Sequence, residues 1–449
     1  MDILIVGSGK TGFALAKELS KQNHNICVVD LRQDVLESSS NMLDVNCING
    51  SGINMGTLKE AGAQTADLII ATTGNDELNV IICVIAKGLG TSNSVARIRN
   101  PEYLDEVELF KKALVLDRVL NPELEAASEI SRLLSLPVAN KVDAFANERV
   151  EIVEYTVEKG DLLVGRPLSK LSFPANVLLC GAERKGELII TKGDYICEVG
   201  DNIYLAGTLV GLNNFFKIIG HTSHKAKNIM IIGGSRMAVY LARMARRMGI
   251  NVRMIERNPI RCEALAKSLD DCLIICGDGT EEEMLLSEDL EKMDAFIALT
   301  DSDEENLLSS LYAKKRGVPK AIPKINRQNY LELAAELGIE SIISPRYVAC
   351  DHILRYVQAL RNTTSSAMQK LYSLANGKAE AVEFTVPGNS KATGKPLEHL
   401  KFKPDLLIAT LVHGKDVIIP TGKQVMRPGD QVLIFSKKVV LHEFDDILL

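Results

Sequence analysis

The chain has 449 residues, 46% of them hydrophobic and 24% charged, with a formal net charge of -6 and a pI near 5.8. This is an ordinary globular composition with room for about three domains, and it offers no overall basic surface for nucleic acid. The most apolar stretch, Val80 to Ala86, falls far short of the roughly 18 residues that span a bilayer. The strand that begins at Asp2 leaves no place for a signal peptide, so no membrane insertion of its own is expected.

The first thirty residues organise the rest. Met1 to Val6 is an apolar run of strand formers, Gly7-Ser8-Gly9-Lys10-Thr11-Gly12 follows at once, and Phe13 to Leu19 has a helical pattern. A second apolar run, Ile26 to Val29, ends on Asp30, 18 residues after Gly12. In a strand–turn–helix–strand unit each glycine has a task. Gly7 makes the tight turn, Gly9 lets a pyrophosphate approach bare backbone at the helix N-terminus, and Gly12 lets the helix pack close. Asp30 stands where a carboxylate accepts both ribose hydroxyls and repels a 2′-phosphate, which favours NAD or an adenine nucleotide over NADP. The competing reading is a glycine turn that serves packing alone.

The alternation continues. Helices are expected at Asp34–Asn41, Met55–Ala61, Asp76–Gly88 and Pro101–Lys112. Strands are expected at Asp44–Ile48, Ala66–Ala71, Ser94–Arg97 and Val115–Val119. Near-continuous apolar strands between helices imply a parallel, doubly wound, Rossmann-like sheet, with ligands beyond the strands' carboxyl ends. That rim holds Gly7–Gly12, Asp30, Asn49 to Ser51, Thr72-Thr73-Gly74 and Arg97. Ser51, Thr72 and Thr73 carry hydroxyls and Arg97 matches phosphate charge, although each threonine could equally serve as a helix cap. A helix from Glu123 to Leu134 leads out of this domain. Short strands follow at Val150–Val157, Val177–Glu183, Glu187–Ile190 and Asn202–Gly207, with a closing helix at Asn213–Ile219, as in a small α+β domain. Gly220 to Lys225 reads as a linker in which His221 and His224 are solvated.

Then the opening recurs. Gly233 follows Gly7, and Glu256 follows Asp30, by 226 positions. Thr300, Asp303, Glu304, Asn306, Lys324 and Tyr330 each follow Thr73, Asp76, Glu77, Asn79, Arg97 and Tyr103 by 227, and Gly394-Lys395-Pro396-Leu397 echoes Gly165-Arg166-Pro167-Leu168 at 229. The chain is two tandem copies of one plan. They are unequal: in Gly233-Gly234-Ser235-Arg236-Met237-Ala238 a serine replaces the second glycine and an alanine the third. Weaker or altered binding is expected at a second site formed by Gly233 to Met237 and Glu256, and a site kept only for folding and assembly fits equally well. The expected division is 1–122, a linker helix at 123–139, 140–222, then 226–345, a second linker helix at 346–367, and 368–449.

Nothing else carries obvious chemistry. The nine cysteines are scattered singly, without C-x-x-C, and read as reduced core thiols. Cys272 and Cys276 bracket a strand, where positions four apart are more than ~12 Å from one another and make poor metal geometry. The acidic run Asp301, Asp303, Glu304 and Glu305 reads as a helix first turn or, less simply, as a cation site. No metal and no catalytic residue is assigned. The β-rich modules show no acid/base arrangement of the kind hydride transfer requires, which points to a sensor, with an NAD-dependent oxidoreductase as the alternative.

The whole pattern resembles the TrkA family, tandem RCK (KTN) regulatory subunits of Trk-type potassium uptake systems. The most specific part is Ala96-Arg97-Ile98-Arg99-Asn100-Pro101-Glu102-Tyr103, beside Gly7–Gly12, Asp30, Asn79, Gly165–Leu168 and Gly200-Asp201, all in tandem. The resemblance implies NAD(H) or ATP/ADP in the nucleotide folds. It also implies a homo-oligomeric ring of RCK units, a tetramer, at the cytoplasmic face of the cell membrane beneath a membrane-embedded potassium transporter subunit whose flux the nucleotide gates.

Overall fold

In a computed structural model of the chain, residues 1–103, 116–221, 225–361, 368–374, 378–437, 441 and 443–449 are described. They divide into two compact units. One comprises Met1–Ile130 with Asn228–Leu354, and the other Ser131–Lys227 with Arg355–Leu449. Each unit thus gathers the like domains of the two copies.

The first unit holds both nucleotide-type folds. In the first copy the order is β1 (Asp2–Val6), α1 (Lys10–Ser20), β2 (Asn25–Asp30), α2 (Gln33–Met42), β3 (Asn46–Asn49), α3 (Met55–Glu60), β4 (Leu68–Ala71), α4 (Asp76–Leu89), β5 (Asn93–Arg97), β6 (Arg118–Leu120) and α5 (Pro122–Ser135). The sheet runs β3-β2-β1-β4-β5-β6 and every pairing is parallel. Leu4, Val6, Val29, Ile69 and Ala71 are all buried, as expected of strands covered by helices on both faces. Of the helix expected at Pro101–Lys112, only a single 3-10 turn at Pro101–Tyr103 is described. Its remainder, and Val115, lie outside the described residues.

The small domain of the first copy comprises β7 (Lys141–Phe145), β8 (Val150–Thr156), β9 (Val177–Arg184), β10 (Glu187–Ile190), β11 (Asn202–Gly207) and α6 (Leu209–Ile218). The second copy follows. Its nucleotide-type fold has β12 (Asn228–Ile232), α7 (Arg236–Arg247), β13 (Asn251–Glu256), α8 (Pro259–Ser268), β14 (Cys272–Cys276), α9 (Glu282–Ser287), β15 (Ala295–Ala298), α10 (Asp303–Lys315), β16 (Lys320–Pro323), α11 (Gln328–Glu336) and α12 (Pro345–Arg361). Its sheet, β14-β13-β12-β15-β16, repeats the order of the first but stops at five strands. A lone parallel bridge, Lys324 to Ile343, stands where the sixth would be.

In the second unit the sheets are antiparallel. They run β10-β9-β11-β8-β7 and, with β17 (Met368–Leu374), β18 (Ala379–Thr385), β19 (Leu406–His413), β20 (Asp416–Ile418) and β21 (Gln431–Lys437), in the order β17-β18-β21-β19-β20. Phe145, Ile152 and Tyr204 of one share a core with Ala381, Leu433 and Phe435 of the other. Strands β7 and β17 do not stand out in the sequence, because polar residues break their apolar runs, Asp143 in the first and Gln369-Lys370 in the second. His221 is not a solvated linker residue: its Nε2 lies 2.7 Å from both Asp161 Oδ1 and the Tyr155 hydroxyl. Among the described residues no helix is long and apolar enough to cross a membrane.

Candidate nucleotide sites

The turn after β1 is built as its residues require. Gly7 has φ +97°, and a Cβ there would stand 2.8 Å from Thr73 N, so only glycine fits. Gly12 lies under the same turn, where a Cβ would come within 1.9 Å of Gly7 O. Gly9 differs from both. Its φ is -68°, a value any residue adopts, and a Cβ on it would meet nothing within 4 Å. No contact within the chain demands a glycine at this position. It precedes an α1 N-terminus that no side chain caps, so the first amides of α1 keep their donors and the positive end of the helix dipole faces open space.

Asp30 closes the turn from β2. Its two oxygens accept from Ser8 N at 2.7 Å and Arg32 N at 2.9 Å. The carboxylate is therefore held in place, with lone pairs left over for hydroxyl donors. The Ser8 hydroxyl faces inward, 2.8 Å from Ser39 Oγ, so this residue offers the rim only its backbone. Thr72 is 3% exposed and its hydroxyl donates to Gly7 O at 2.9 Å. It locks the turn rather than facing the cleft. Ser51, half-buried, lies in the loop after β3, and Lys10 and Gly74 are exposed. A cleft of about 340 Å³ opens over the turn, lined by Ser8, Gly9, Lys10, Phe13, Arg32 and Arg346 among others.

Arg97 reaches the same rim from the end of β5. Its Nη1 lies 3.4 Å from Thr11 Oγ1 and its Nη2 donates to Thr73 O, while its Nε is buried without a hydrogen-bond partner. Burial, helped by the nearby Arg99 and Arg236 and opposed by Glu123 and Asp76, lowers its pKa to about 10, so the guanidinium stays charged at neutral pH. A half-buried cation with an unused donor beside an uncapped helix N-terminus suits a phosphate group. Asn79 fixes this arrangement. Its Oδ1 accepts from Thr73 N at 2.8 Å and its Nδ2 donates to Arg97 O at 2.8 Å. Asp76 clamps the next stretch, accepting from the Arg99 and Asn100 amides at 2.8 and 2.9 Å.

The second copy repeats these bonds almost one for one. Asn306 accepts from Thr300 N and donates to Lys324 O, both at 2.9 Å. Asp303 accepts from Asn326 N and Arg327 N at 3.0 and 2.9 Å. Glu256 accepts from Gly234 N at 2.7 Å and Asn258 N at 2.8 Å. Asp303 is thus a backbone clamp, and Asp303, Glu304 and Glu305 form the first turn of α10. Among the described residues no three His, Cys, Asp or Glu side chains are placed to share an ion.

The turn itself differs. Ser235 caps its own helix, accepting from Ala238 N at 3.4 Å, and so occupies a donor that stays open in the first copy. Ala238 carries a methyl where Gly12 has none, in a place where the first copy has no room for one. Met237 is buried, Leu299 replaces Thr72, and the Lys324 ammonium lies 3.5 Å from Asp301. Arg236 is exposed. One residue outside the expected set joins the copies: the Tyr240 hydroxyl of α7 donates to Arg99 O at 2.7 Å and accepts from Asn121 Nδ2 at 3.1 Å. Only proximity in the fold exposes that role, since the tyrosine looks like one more core residue of a helix.

Fold and turn define a tandem Rossmann-type protein in which a small antiparallel domain follows each copy in sequence. Residues 3–122 and 229–345 match the TrkA-N domain, and residues 152–220 and 381–449 match the TrkA-C domain. The chain belongs to the TrkA family. It is 32% identical over 444 residues to Trk system potassium uptake protein TrkA homolog 1 of Methanosarcina mazei, covering 97% of each. It is 34% identical over 451 residues to Trk system potassium uptake protein TrkA of Vibrio alginolyticus, covering 98% of this chain and 97% of that one. Its fold is similar to that of the GsuK channel bound to NAD, with a TM-score of 0.63 at 18% identity over 97% of this chain and 77% of the channel.

Proposed function

We propose that this chain is the cytosolic, nucleotide-binding regulatory subunit of a Trk-type potassium uptake system. It carries out no catalytic step of its own, and nucleotide occupancy gates flux through a membrane-embedded partner. NAD(H) or ATP/ADP occupies the first site, with phosphates over Gly9 and the amides of Lys10, Thr11 and Gly12, the ribose on Asp30, and Arg97 with Thr73, Gly74 and Ser51 around the phosphates. The second site, Gly233 to Met237 with Glu256, binds more weakly because Ser235 fills the phosphate position. The chain acts at the inner face of the membrane as a homo-oligomeric ring of RCK units, a tetramer, divided at the boundaries given above.

The observation that carries this reading is the open space at Gly9 beside the uncapped α1 and the unpartnered Arg97 Nε. Transmission has a physical route. Arg97 ends β5, Arg99 lies in the loop that follows, and Tyr240 ties that loop to α7 of the other copy. A ligand that pulls on Arg97 therefore biases how the two nucleotide folds pack, by as much as its affinity differs between the packings. The test is a calorimetric titration of the purified chain with NAD, NADH, ATP and ADP. Binding is expected, and Asp30→Ala and Arg97→Ala are each expected to weaken it by about tenfold or more, the loss of one charge-assisted hydrogen bond. Absence of binding at millimolar ligand refutes the proposal. NADH consumption with a carbonyl substrate supports an oxidoreductase instead.

A further inference from the structure

Two of the nine thiols stand apart from the rest. Cys276 ends β14 and is exposed, while Cys262, on the second turn of α8, is 8% exposed. Both border one residue. The Cys262 thiol lies 3.1 Å from Glu256 O, and Cys276 is the registered partner of Glu256 across β13 and β14. These two placements bring both thiols to the end of β13 at Glu256, where the neighbouring Cys276 thiol raises that of Cys262. Strand alternation explains why no other pair does this. Cys27 and Cys47 also lie on adjacent strands, but Cys27 is in register with Asn46, so Cys47 points to the opposite face of the sheet. Cys272 shares the α8 face of β14 with Cys276, yet it sits four residues back, about 13 Å along the strand.

We propose that Cys262 and Cys276 are a peroxide-oxidised thiol pair that closes to an intramolecular disulfide at the rim of the second candidate site. The exposed Cys276 reacts first. Its thiolate sulfur attacks one peroxide oxygen, the S–O bond forms, the O–O bond breaks, and the departing hydroxide takes up the proton to leave as water. Cys276 is then a sulfenic acid. The Cys262 sulfur attacks the Cys276 sulfur next. The S–S bond forms, the S–O bond breaks, and hydroxide leaves with the Cys262 proton as a second water. Two thiols and one hydrogen peroxide give one disulfide and two waters. The thiols lose two electrons in total, and the peroxide gains them.

The division of labour follows from the surroundings. Burial, with Cys276 and Glu256 nearby, pushes the Cys262 thiol up to about 11. It stays protonated and unreactive toward peroxide until a sulfenic acid forms within reach. The bond would fasten α8 to the end of β14. Through Asn258 and Arg261, which hold Glu256 and the Gly234 carbonyl, it would also stiffen the second glycine turn. The proposal concerns the thiols alone and holds whether or not a nucleotide binds there.

The test uses the full chain, reduced and then treated with hydrogen peroxide. Peptide mapping without reductant is expected to show a cross-link between Cys262 and Cys276, with two of the nine thiols lost to alkylation and the intact mass lower by two hydrogen atoms. Dithiothreitol should restore all of them. Cys262→Ser and Cys276→Ser should each abolish the cross-link, and Cys272→Ser should retain it. The wild-type map needs no variant to fold. Oxidation of Cys276 to sulfinic acid without a cross-link overturns the proposal, as does a cross-link from Cys276 to any other cysteine or to a second chain.

Discussion

A serine at position 9 is expected to weaken nucleotide binding while leaving the fold at least as stable. Gly9 has an unstrained φ of -68° and nothing within 4 Å of its missing Cβ, so a side chain enters without a clash. The second copy already shows the outcome, since Ser235 sits in the same place with φ -68° and bonds Ala238 N. Serine exceeds glycine as an N-cap by a few tenths of a kcal/mol. Replacing glycine where its conformation is ordinary adds about 0.4–1 kcal/mol by restricting the unfolded chain. The sum is a gain of about 0.6–1.4 kcal/mol, or ~1–3 °C in melting temperature. Binding moves the other way. The hydroxyl takes an amide that would hold a phosphate, and a hydrogen bond to a charged group is worth about 1.5–3 kcal/mol, roughly a 10- to 100-fold loss of affinity. Differential scanning fluorimetry of the ligand-free protein and calorimetric titration of NADH and ATP read the two effects separately. If Gly9→Ser binds within threefold of the wild type, phosphate does not approach this backbone and the assignment of the site fails. If it melts well below the wild type, the turn needs glycine for folding and the open space has been misread.

Three other changes follow from the same geometry. Asn79→Ala leaves the buried Thr73 amide and Arg97 carbonyl without their partner, at a cost of about 2–3 kcal/mol in chemical denaturation; Asn306→Ala is expected to cost the same, and an effect below 0.5 kcal/mol in either contradicts the anchoring role. Ser235→Gly reopens the second turn for a few tenths of a kcal/mol; equilibrium dialysis should show binding at the second site tighten, and an unchanged isotherm places the obstruction elsewhere, with Ala238 the next suspect. Glu151 of β8 has its pKa raised to about 7, chiefly by burial, with Arg132 opposing and Glu148 adding to the shift. Its folded value lies above its unfolded one, so the stability it lends is complete below about pH 4.5 and is lost as the pH rises toward 7. Glu151→Gln should remove that decline, about 1–3 kcal/mol between pH 5 and 8, and identical slopes in wild type and variant rule the effect out.

Local periodicity carried most of the nucleotide folds into view. The strand β1, the glycine turn, α1, and the strand ending on Asp30 were readable because apolar runs, glycines and an acid each have one comfortable role at that spacing. The repeat was readable because Thr300, Asp303, Asn306 and Tyr330 recur at one offset, and the structure gives the physical reason. Each makes the same loop-anchoring bond as its counterpart, so both copies need the same side chain. What escaped was direction and distance. A threonine hydroxyl on a rim can turn outward or inward, and Thr72 turns inward because Gly7 O needs a donor. Strand β7, Lys141 to Phe145, is only five residues long, has its apolar run broken by Asp143, and relies on pairing with β8. The pairing of like domains, and Tyr240 bridging to Arg99 and Asn121, depend on contacts between residues more than a hundred positions apart, which no window of sequence contains.

The inequality of the two turns has a consequence for how such a chain can respond. Two equal sites in one compact unit would fill together and give a single graded signal. Here the first turn leaves its helix amides to a ligand, while the second supplies its own acceptor from Ser235 and pays no desolvation for a vacant site. On the proposed reading, Ser235 stands in for the phosphate in the second fold, and the first changes state when a phosphate arrives. A fixed half gives the moving half something to work against. Tyr240 joins them at the Arg99 carbonyl, two residues from Arg97, so a shift of the Arg97 end of β5 would pull on a helix whose N-terminus Ser235 caps. On this argument Tyr240→Phe should leave affinity at the first site nearly unchanged, because neither Asp30 nor Arg97 loses a bond. It should uncouple binding from any change in the second copy, read as loss of the ligand-induced difference in amide hydrogen exchange across α7. Retention of that difference in Tyr240→Phe would show that coupling passes through other contacts.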